Sequence, residues 1–520
     1  MEASQTIPRE SIHVSQRESK IHPVFFDILL GSIVLASRIP FLFVGYGTDN
    51  DAWALARAAR HIALTGQYEA SRLPGFPLQE YITAFVWQSG PVAVNFLTAL
   101  FSAICVSFFS ACARKYGLRD YFLVALSFAF IPTVYISSAS GMDYMWAMAF
   151  LMISFYAVLS GNSFYGGAAL GLATGARLTS IIFLLPYLIL LFAHSEKSRF
   201  QRGFEFIAVA LVTSFACFIP VMLRYPNFEF LSYYETFGAG KRTFLDFLGG
   251  FVNPNLPFSP LFLLGQATVG VWGIIGSIVL SVTLVIALVR WILRQKIEDS
   301  RKEVANPVPK IDIFVWLLVI FLVWVLYLRL PHDEGYLIPA LPFLLLLIAL
   351  IFSRWLVRIL TLGILISPFL VGVDIEPPKK GITPLTRSAA IRKIQLSGET
   401  FMIDFLRGPV LMDYDKRIAI DKTVEQAILK HGSLPDKSIV LSGLLERMML
   451  YYFHPDIVPK TKDVIYIDKL SMQELKEALD KGYRVYYLPD ARERTIRAEN
   501  YDPADFGAEP LLTTIPSKNI

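Results

Sequence analysis

Asp49 and Asp51 open a stretch, Gly47 to Tyr81, that reads GTDNDAWALARAARHIALTGQYEASRLPGFPLQEY. Two carboxylates this close, at the mouth of a helix, suit proton transfer: a carboxylate within hydrogen-bond reach of a hydroxyl can take its proton. Either can equally cap the helix that follows, because Asp accepts N–H bonds there. That short amphipathic helix is expected over about Ala52 to Leu64, ended by Gly66. Arg72, in the stiff turn Arg72-Leu-Pro-Gly-Phe-Pro77, offers a cation to phosphate. Anchoring to a lipid headgroup is its plainer use. Arg177 lies inside an apolar run, where a guanidinium is costly unless it faces a cavity or a partner, or snorkels from a helix end. His332, Asp333 and Glu334 form a third polar cluster, which as an ordinary solvated turn needs no further role. As metal ligands the three are plausible only if Asp49 or Asp51 comes close, with His332 and Glu334 the candidates for a divalent metal or a substrate group.

What must position these residues is a membrane bundle. The chain has 520 residues, 54% hydrophobic and 18% charged, with a mean hydropathy of +0.50. A soluble domain carries about a quarter charged residues. The apolar excess lies in long runs, so the expectation is a polytopic α-helical membrane protein with a soluble part. The net charge of +5 gives no case for nucleic acid. Cys105, Cys112 and Cys217 all fall in apolar runs, so neither a disulfide nor a cysteine metal site is expected.

A polar tail, residues 1–21, precedes a first span over about His22 to Val44, and no cleaved signal peptide is expected. The loop 45–90 follows. Further spans are expected over about Val92–Ala113, Tyr121–Ser138 and Tyr144–Leu159. Residues 164–193 are too many for one comfortable span and read as two half-helices meeting at Arg177. Gly167, Gly171 and Gly175 recur there at the spacing that lets a neighbouring helix pack closely. Later spans are about Phe204–Leu223, Val269–Val289, Ile311–Leu328, Tyr336–Phe352 and Trp355–Val373. A second long loop, 224–268, is crowded with aromatics of the kind favoured in the headgroup layer, and carries Lys241 and Arg242. With about eleven crossings, the Lys/Arg-bearing segments 1–21, 114–120, 194–203 and 290–310, with Arg354, fall on one side. That side is then the cytoplasm.

From about Asp374 the composition changes, with Ile375-Glu-Pro-Pro-Lys-Lys read as a linker. Residues 374–520 mix strand-like runs at Ser438–Ser442, Val464–Asp468 and Arg484–Leu488 with helices near Leu444–Phe453 and Met472–Lys481. Ser471 and Glu474 form a capping box for the second helix. The alternation predicts a small extracytoplasmic α/β domain with a partly parallel sheet. It has no G-x-G-x-x-G and no P-loop, so no nucleotide site is inferred.

In plan the chain resembles the GT-C class of membrane glycosyltransferases, such as the protein O-mannosyltransferases and the lipid A aminoarabinose transferases. Members carry an acid just after the first span, then a helix, a Gly and an aromatic. Here Asp51 is followed by Ala56, Arg60, Gly66 and Tyr68 in that arrangement. The segment ending Gly171-Leu-Ala-Thr-Gly-Ala-Arg-Leu-Thr179 and the run Tyr336-Leu-Ile-Pro-Ala-Leu-Pro342 are also similar. The likeness covers about residues 22–373 and rests on the order and sidedness of these motifs. The family often has Asp-Glu, whereas Asp51 stands between Asn50 and Ala52, which leaves the part played by Asp49 open.

The resemblance implies transfer of a sugar from a polyprenyl phosphate or diphosphate lipid to a hydroxyl outside the cytoplasm, on a lipid, glycan or protein acceptor. It implies an inverting displacement with Asp51 as general base, aided by Asp49. Arg72, Arg177, Lys241 and Arg242 would meet the donor phosphate, where charge-assisted bonds stabilise the leaving group. Trp53, Tyr68, Tyr81 and Glu80 would contact sugar or acceptor, although the aromatics suit interfacial anchoring equally well. No cofactor is required by any motif, and a divalent metal is the single candidate. Two other classes stay open. A transporter or flippase for an amphipathic substrate would place charges inside the membrane and show paired halves with broken helices. An inactive membrane scaffold would use the outer part for partners alone.

Overall fold

The computed structural model describes residues 23–194, 198–226, 265–294, 308–329, 333–375, 391–396, 399–443, 447, 450 and 463–512. Helix α1, Pro23–Arg38, continues as a 3-10 turn, Ile39–Phe41. Helix α2, Asn50–Thr65, starts at the N-cap Asp49 and stops at Gly66, whose φ of 71° closes the helix with its N–H on the Ile62 carbonyl. Then come α3, Pro77–Val86, and α4, Gly90–Lys115. The next span is bent by 69° between α5, Tyr121–Phe130, and α6, Pro132–Ser138. Pro132 cannot continue the hydrogen-bond ladder of α5, which accounts for the bend. Helix α7, Tyr144–Leu159, leads to α8, Ser163–Ala176.

The chain breaks at Arg177, which is extended (φ −157°, ψ 111°), then resumes as a 3-10 turn, Leu178–Phe183, and α9, Leu184–His194. Helix α10, Arg199–Arg224, packs on α8 along the three glycines. A Cβ at Gly171 would lie 2.4 Å from Thr213 Cβ, and one at Gly167 would lie 2.5 Å from the Phe206 carbonyl oxygen. The remaining helices of the bundle, among the described residues, are α11, Val271–Arg294; α12, Lys310–Arg329; α13, Leu341–Ile351; and α14, Arg354–Ile366.

Among the described residues six helices are long and apolar enough to cross a membrane, or seven if the bent α5–α6 pair is one span. The protein is therefore multi-pass. The expected count of about eleven also needs α7, α8, the Leu178–His194 segment and α14, which fall short of that length.

Ion pairs gather at both ends of the bundle. At one end Arg114 pairs with Asp27 at 2.7 Å, His194 with Asp312 at 2.8 Å and Arg354 with Asp120 at 4.0 Å. Tyr116 and Trp316, with ring centroids 4.9 Å apart, join α4 to α12 there. The break at Arg177, the turn before α7 and the start of α2 meet at the other end.

Beyond α14 the chain leaves the helical pattern earlier than the sequence suggests. Val373, read as the last residue of a span, sits in strand β1, Gly372–Ile375. Strand β1 pairs antiparallel with β3, Glu399–Asp404, which also pairs with β2, Ile391–Leu396. Helix α15, Pro409–His431, follows. Strands β4, Ser438–Leu441; β5, Val464–Ile467; β6, Arg484–Tyr487; and β7, Glu509–Pro510, form a parallel sheet in the order β5-β4-β6-β7. Helices α16, Met472–Asp480, and α17, Pro489–Glu499, connect its later strands, and the Ser471–Glu474 capping box forms at the start of α16. The tail 1–21, most of the loop 224–268, the linker after Ile375 and most of Leu444–Phe453 lie outside the described residues.

Candidate active site

Four side chains from four separate segments form one connected chain. Arg72 Nε lies 3.0 Å from Asp51 Oδ2, and Arg72 Nη2 lies 2.7 Å from Asp143 Oδ1. The other Asp143 oxygen accepts from Arg177 Nη1. Asp143 is sealed from solvent, whereas the Asp51 side chain keeps 39% of its surface open. The site therefore has an inner carboxylate gripping two cations and an outer carboxylate facing the opening.

Local structure explains each placement. Asp49 is the N-cap of α2, its Oδ1 accepting the Asp51 N–H at 2.8 Å. Capping is thus Asp49's own task, and it leaves the Asp51 side chain to reach Arg72. Arg177 sits where α8 ends, so its side chain leaves the bundle wall and lies 4.2 Å over the Tyr144 ring and 4.8 Å from Tyr336. Arg72 stacks 3.9 Å over Phe76. Flat guanidinium groups held between rings are fixed in direction as well as charge. Tyr144 also donates to Asp333 Oδ2 at 2.6 Å, and Asp333 caps the 3-10 turn Glu334–Ala340.

The electrostatics follow from this packing. Asp49 opens to solvent on one side, yet protein crowds it on the others. That crowding, with the like charge of Asp51, pushes its carboxyl up to about 6. Asp51 is also raised, chiefly by burial, against the pull of Arg72. Burial alone would raise Asp143 too, but Arg177 and Arg72 together hold it below the usual carboxylate range. The site thus contains one fixed anion, Asp143, and two carboxylates, Asp49 and Asp51, that hold a proton more readily than an ordinary aspartate.

Other residues expected at the site serve its frame. Glu80 is fully buried: Oε1 accepts from the Ser71 N–H and hydroxyl at 2.6 Å each, and Oε2 accepts from the Tyr68 hydroxyl at 2.5 Å and the Phe76 N–H at 3.1 Å. It staples the turn that carries Arg72, so all its oxygens are used within the loop. Trp53 is 1% exposed and donates to the Gly47 carbonyl at 2.9 Å. Tyr68 is buried against Glu80, and Tyr81 stacks on Tyr68 with centroids 5.7 Å apart. In this arrangement Trp53, Tyr68 and Glu80 brace the loop from inside and do not face its opening. Glu334 lies near Asp49 and Asp333. Lys241, Arg242 and His332 lie outside the described residues. Among the described residues no group of three or more His, Cys, Asp or Glu is arranged to hold a metal ion.

Asp143, Tyr144 and Tyr336 were not among the expected site residues. For Asp143 a signal existed: an acid between two apolar runs needs a partner, and Arg177 was already in want of one.

No family model matches the chain, and no curated protein matches it. Among solved structures, ArnT from Cupriavidus metallidurans bound to undecaprenyl phosphate is similar over 94% of this chain and 90% of that one, at 14% identity and a TM-score of 0.41. The same protein in the apo state is similar over 93% and 88%, at 13% identity and a TM-score of 0.39.

Proposed function

We propose that the chain is a GT-C-type glycosyltransferase that moves a sugar from a polyprenyl phosphate or diphosphate lipid to an acceptor hydroxyl. One observation carries this reading: Asp51, Arg72, Asp143 and Arg177 are joined in a single network at one end of an apolar bundle. A candidate base and two candidate phosphate cations thereby belong to one chain of direct contacts. In the reaction the acceptor oxygen attacks the anomeric carbon while the bond from that carbon to the phosphate oxygen breaks. The leaving phosphate keeps the bonding electrons, and the hydroxyl proton passes to Asp51. Asp51 and Asp143 engage Nε and Nη2 of Arg72, and a guanidinium has five donors, so another edge can turn to phosphate oxygens. Asp143 keeps both arginines in place and lowers the cost of burying them.

The membrane arrangement belongs to the same proposal. About eleven crossings put the charged end with Arg114 and His194 in the cytoplasm, and the site with residues 374–520 outside it. Protease added to sealed right-side-out vesicles should then remove the C-terminal part. Transfer is tested with purified protein and labelled sugars on undecaprenyl phosphate, the lipid in the similar ArnT structure. Sugar transfer lost in Asp51→Asn supports the reading, and undiminished transfer by that variant overturns the base assignment.

The two broken segments, α5–α6 and α8–α9, favour a second reading, a transporter for a lipid-linked substrate. Proteoliposomes distinguish the two: a transporter moves the labelled lipid across the bilayer with its sugar still attached.

A further inference from the structure

Helix α15 lies outside the membrane bundle in sequence, yet it reaches into the frame of the site. Arg417, 3% exposed, donates from Nη1 to the Ala139 carbonyl at 2.8 Å and pairs through Nη2 with Asp413 Oδ2 at 2.5 Å. The other Asp413 oxygen accepts the Thr48 hydroxyl at 2.7 Å. Thr48 precedes Asp49 directly, and Ala139 opens the short turn that ends at Asp143. These two turns also touch each other, through the Gly141 N–H on the Tyr46 carbonyl at 2.7 Å.

One turn further along α15, Asp421 faces the backbone of Gly45. A Cβ at Gly45, whose φ is +46°, would lie 3.2 Å from Asp421 Oδ1. The same helix thus touches both turns that carry the site's carboxylates, through a buried ion pair and not through apolar packing alone. A buried guanidinium–carboxylate pair is costly to desolvate. Where hydrophobic residues would pack as well, such a pair earns its place by fixing geometry.

We infer that Arg417 and Asp413 are positioning residues which tie the Thr48–Asp51 segment to the Ala139–Asp143 turn and so set the distance between the outer and inner carboxylates. This rests on the transfer reading for its effect on rate, but the tie itself does not.

The test therefore has two arms on the full chain in lipid nanodiscs. Hydrogen exchange, read without substrate, follows residues 45–51 and 139–143. Arg417→Met should speed exchange in the 139–143 turn and Asp413→Ala in residues 45–51. Lys430→Met, which removes an exposed cation from the same helix, should change neither. Sugar transfer from undecaprenyl-phosphate donors is the second arm. Either variant should lower kcat by about 10- to 100-fold, the scale expected for a displaced catalytic group, and leave the donor KM near wild type. Because the two residues act as one unit, the double variant should be little slower than either single one. Arg417→Lys, which keeps the cation, should recover part of the rate, and with Asp413→Ala it carries the test if Arg417→Met does not fold. Unchanged exchange in both segments overturns the tie whatever the activity. Faster exchange with an unchanged kcat overturns the positioning role. Faster exchange in a protein whose wild type transfers no sugar overturns the transfer reading and leaves the tie standing.

Discussion

Arg72 Nε and Asp51 Oδ2 are 3.0 Å apart, so the cation read as a phosphate ligand holds the carboxylate read as the base. A phosphate on the remaining donors of Arg72 would sit across one guanidinium from Asp51, so leaving group and base would share a single cation. Asp143 and Asp51 together raise Arg72 above its ordinary value despite its burial, so it stays charged throughout.

Asp51→Asn should lower kcat by about 10²–10⁴-fold, the usual contribution of a general base. The fold should be intact, because the cap of α2 is Asp49 and not Asp51. Steady-state transfer assays with a thermal melt on the same preparation check both halves of this expectation.

The rate should rise with pH. Asp49 is held at about 6 and Asp51 is also raised, and a base works only when ionised. The kcat/KM profile should therefore climb at a pH above the ordinary carboxylate range, through a titration that belongs to the coupled pair. Asp49→Asn removes the like charge beside Asp51, so the rising limb should move to lower pH. A limb that stays in place would show that the pair does not control the rate.

Glu80→Ala leaves two backbone N–H groups and two hydroxyls without their buried acceptor. The loss should be on the order of 3 kcal/mol or more. Because this staple holds the turn bearing Arg72, affinity for a phosphate lipid should fall together with Tm. Binding of undecaprenyl phosphate measured beside a melting curve tests the pairing of the two effects.

Asp421→Asn should stabilise the protein at neutral pH. Burial raises the Asp421 carboxyl from 3.8 to about 6. Between those values the folded chain keeps a proton that the unfolded chain releases, so stability falls as pH rises through this window and levels off above it. Asn still accepts the Gly45 N–H and has no charge to expose. Melting curves should show the wild type losing more stability than the variant from acid to neutral pH.

Gly171→Ala should cost about 1–3 kcal/mol, since its Cβ would collide with Thr213 and force α8 away from α10. Because Arg177 hangs from the end of α8, transfer should weaken along with Tm.

Some of this was legible in the sequence for physical reasons. Gly66 ends α2 because the backbone there must turn left-handed, and the chain breaks at Arg177 because a guanidinium cannot sit unpaired in an apolar wall. Direction was not legible. Trp53, Tyr68 and Glu80 belong to the expected loop, but nothing in their spacing tells that they point inward. Asp143 was hidden in a turn that reads as a mere connector. Helix α15 went unread because its charges fall on all sides, and Arg417 and Asp413 look like surface residues until their partners, far away in sequence, are known.

That sequence distance has a consequence for how the protein is made. Thr48 and Asp413 are 365 residues apart. A ribosome therefore finishes every candidate membrane helix among the described residues before it delivers the residues that clasp the two turns. The nascent chain can insert and pack its bundle while the carboxylates still lack their final spacing. Activity would switch on only late in biogenesis, when α15 docks.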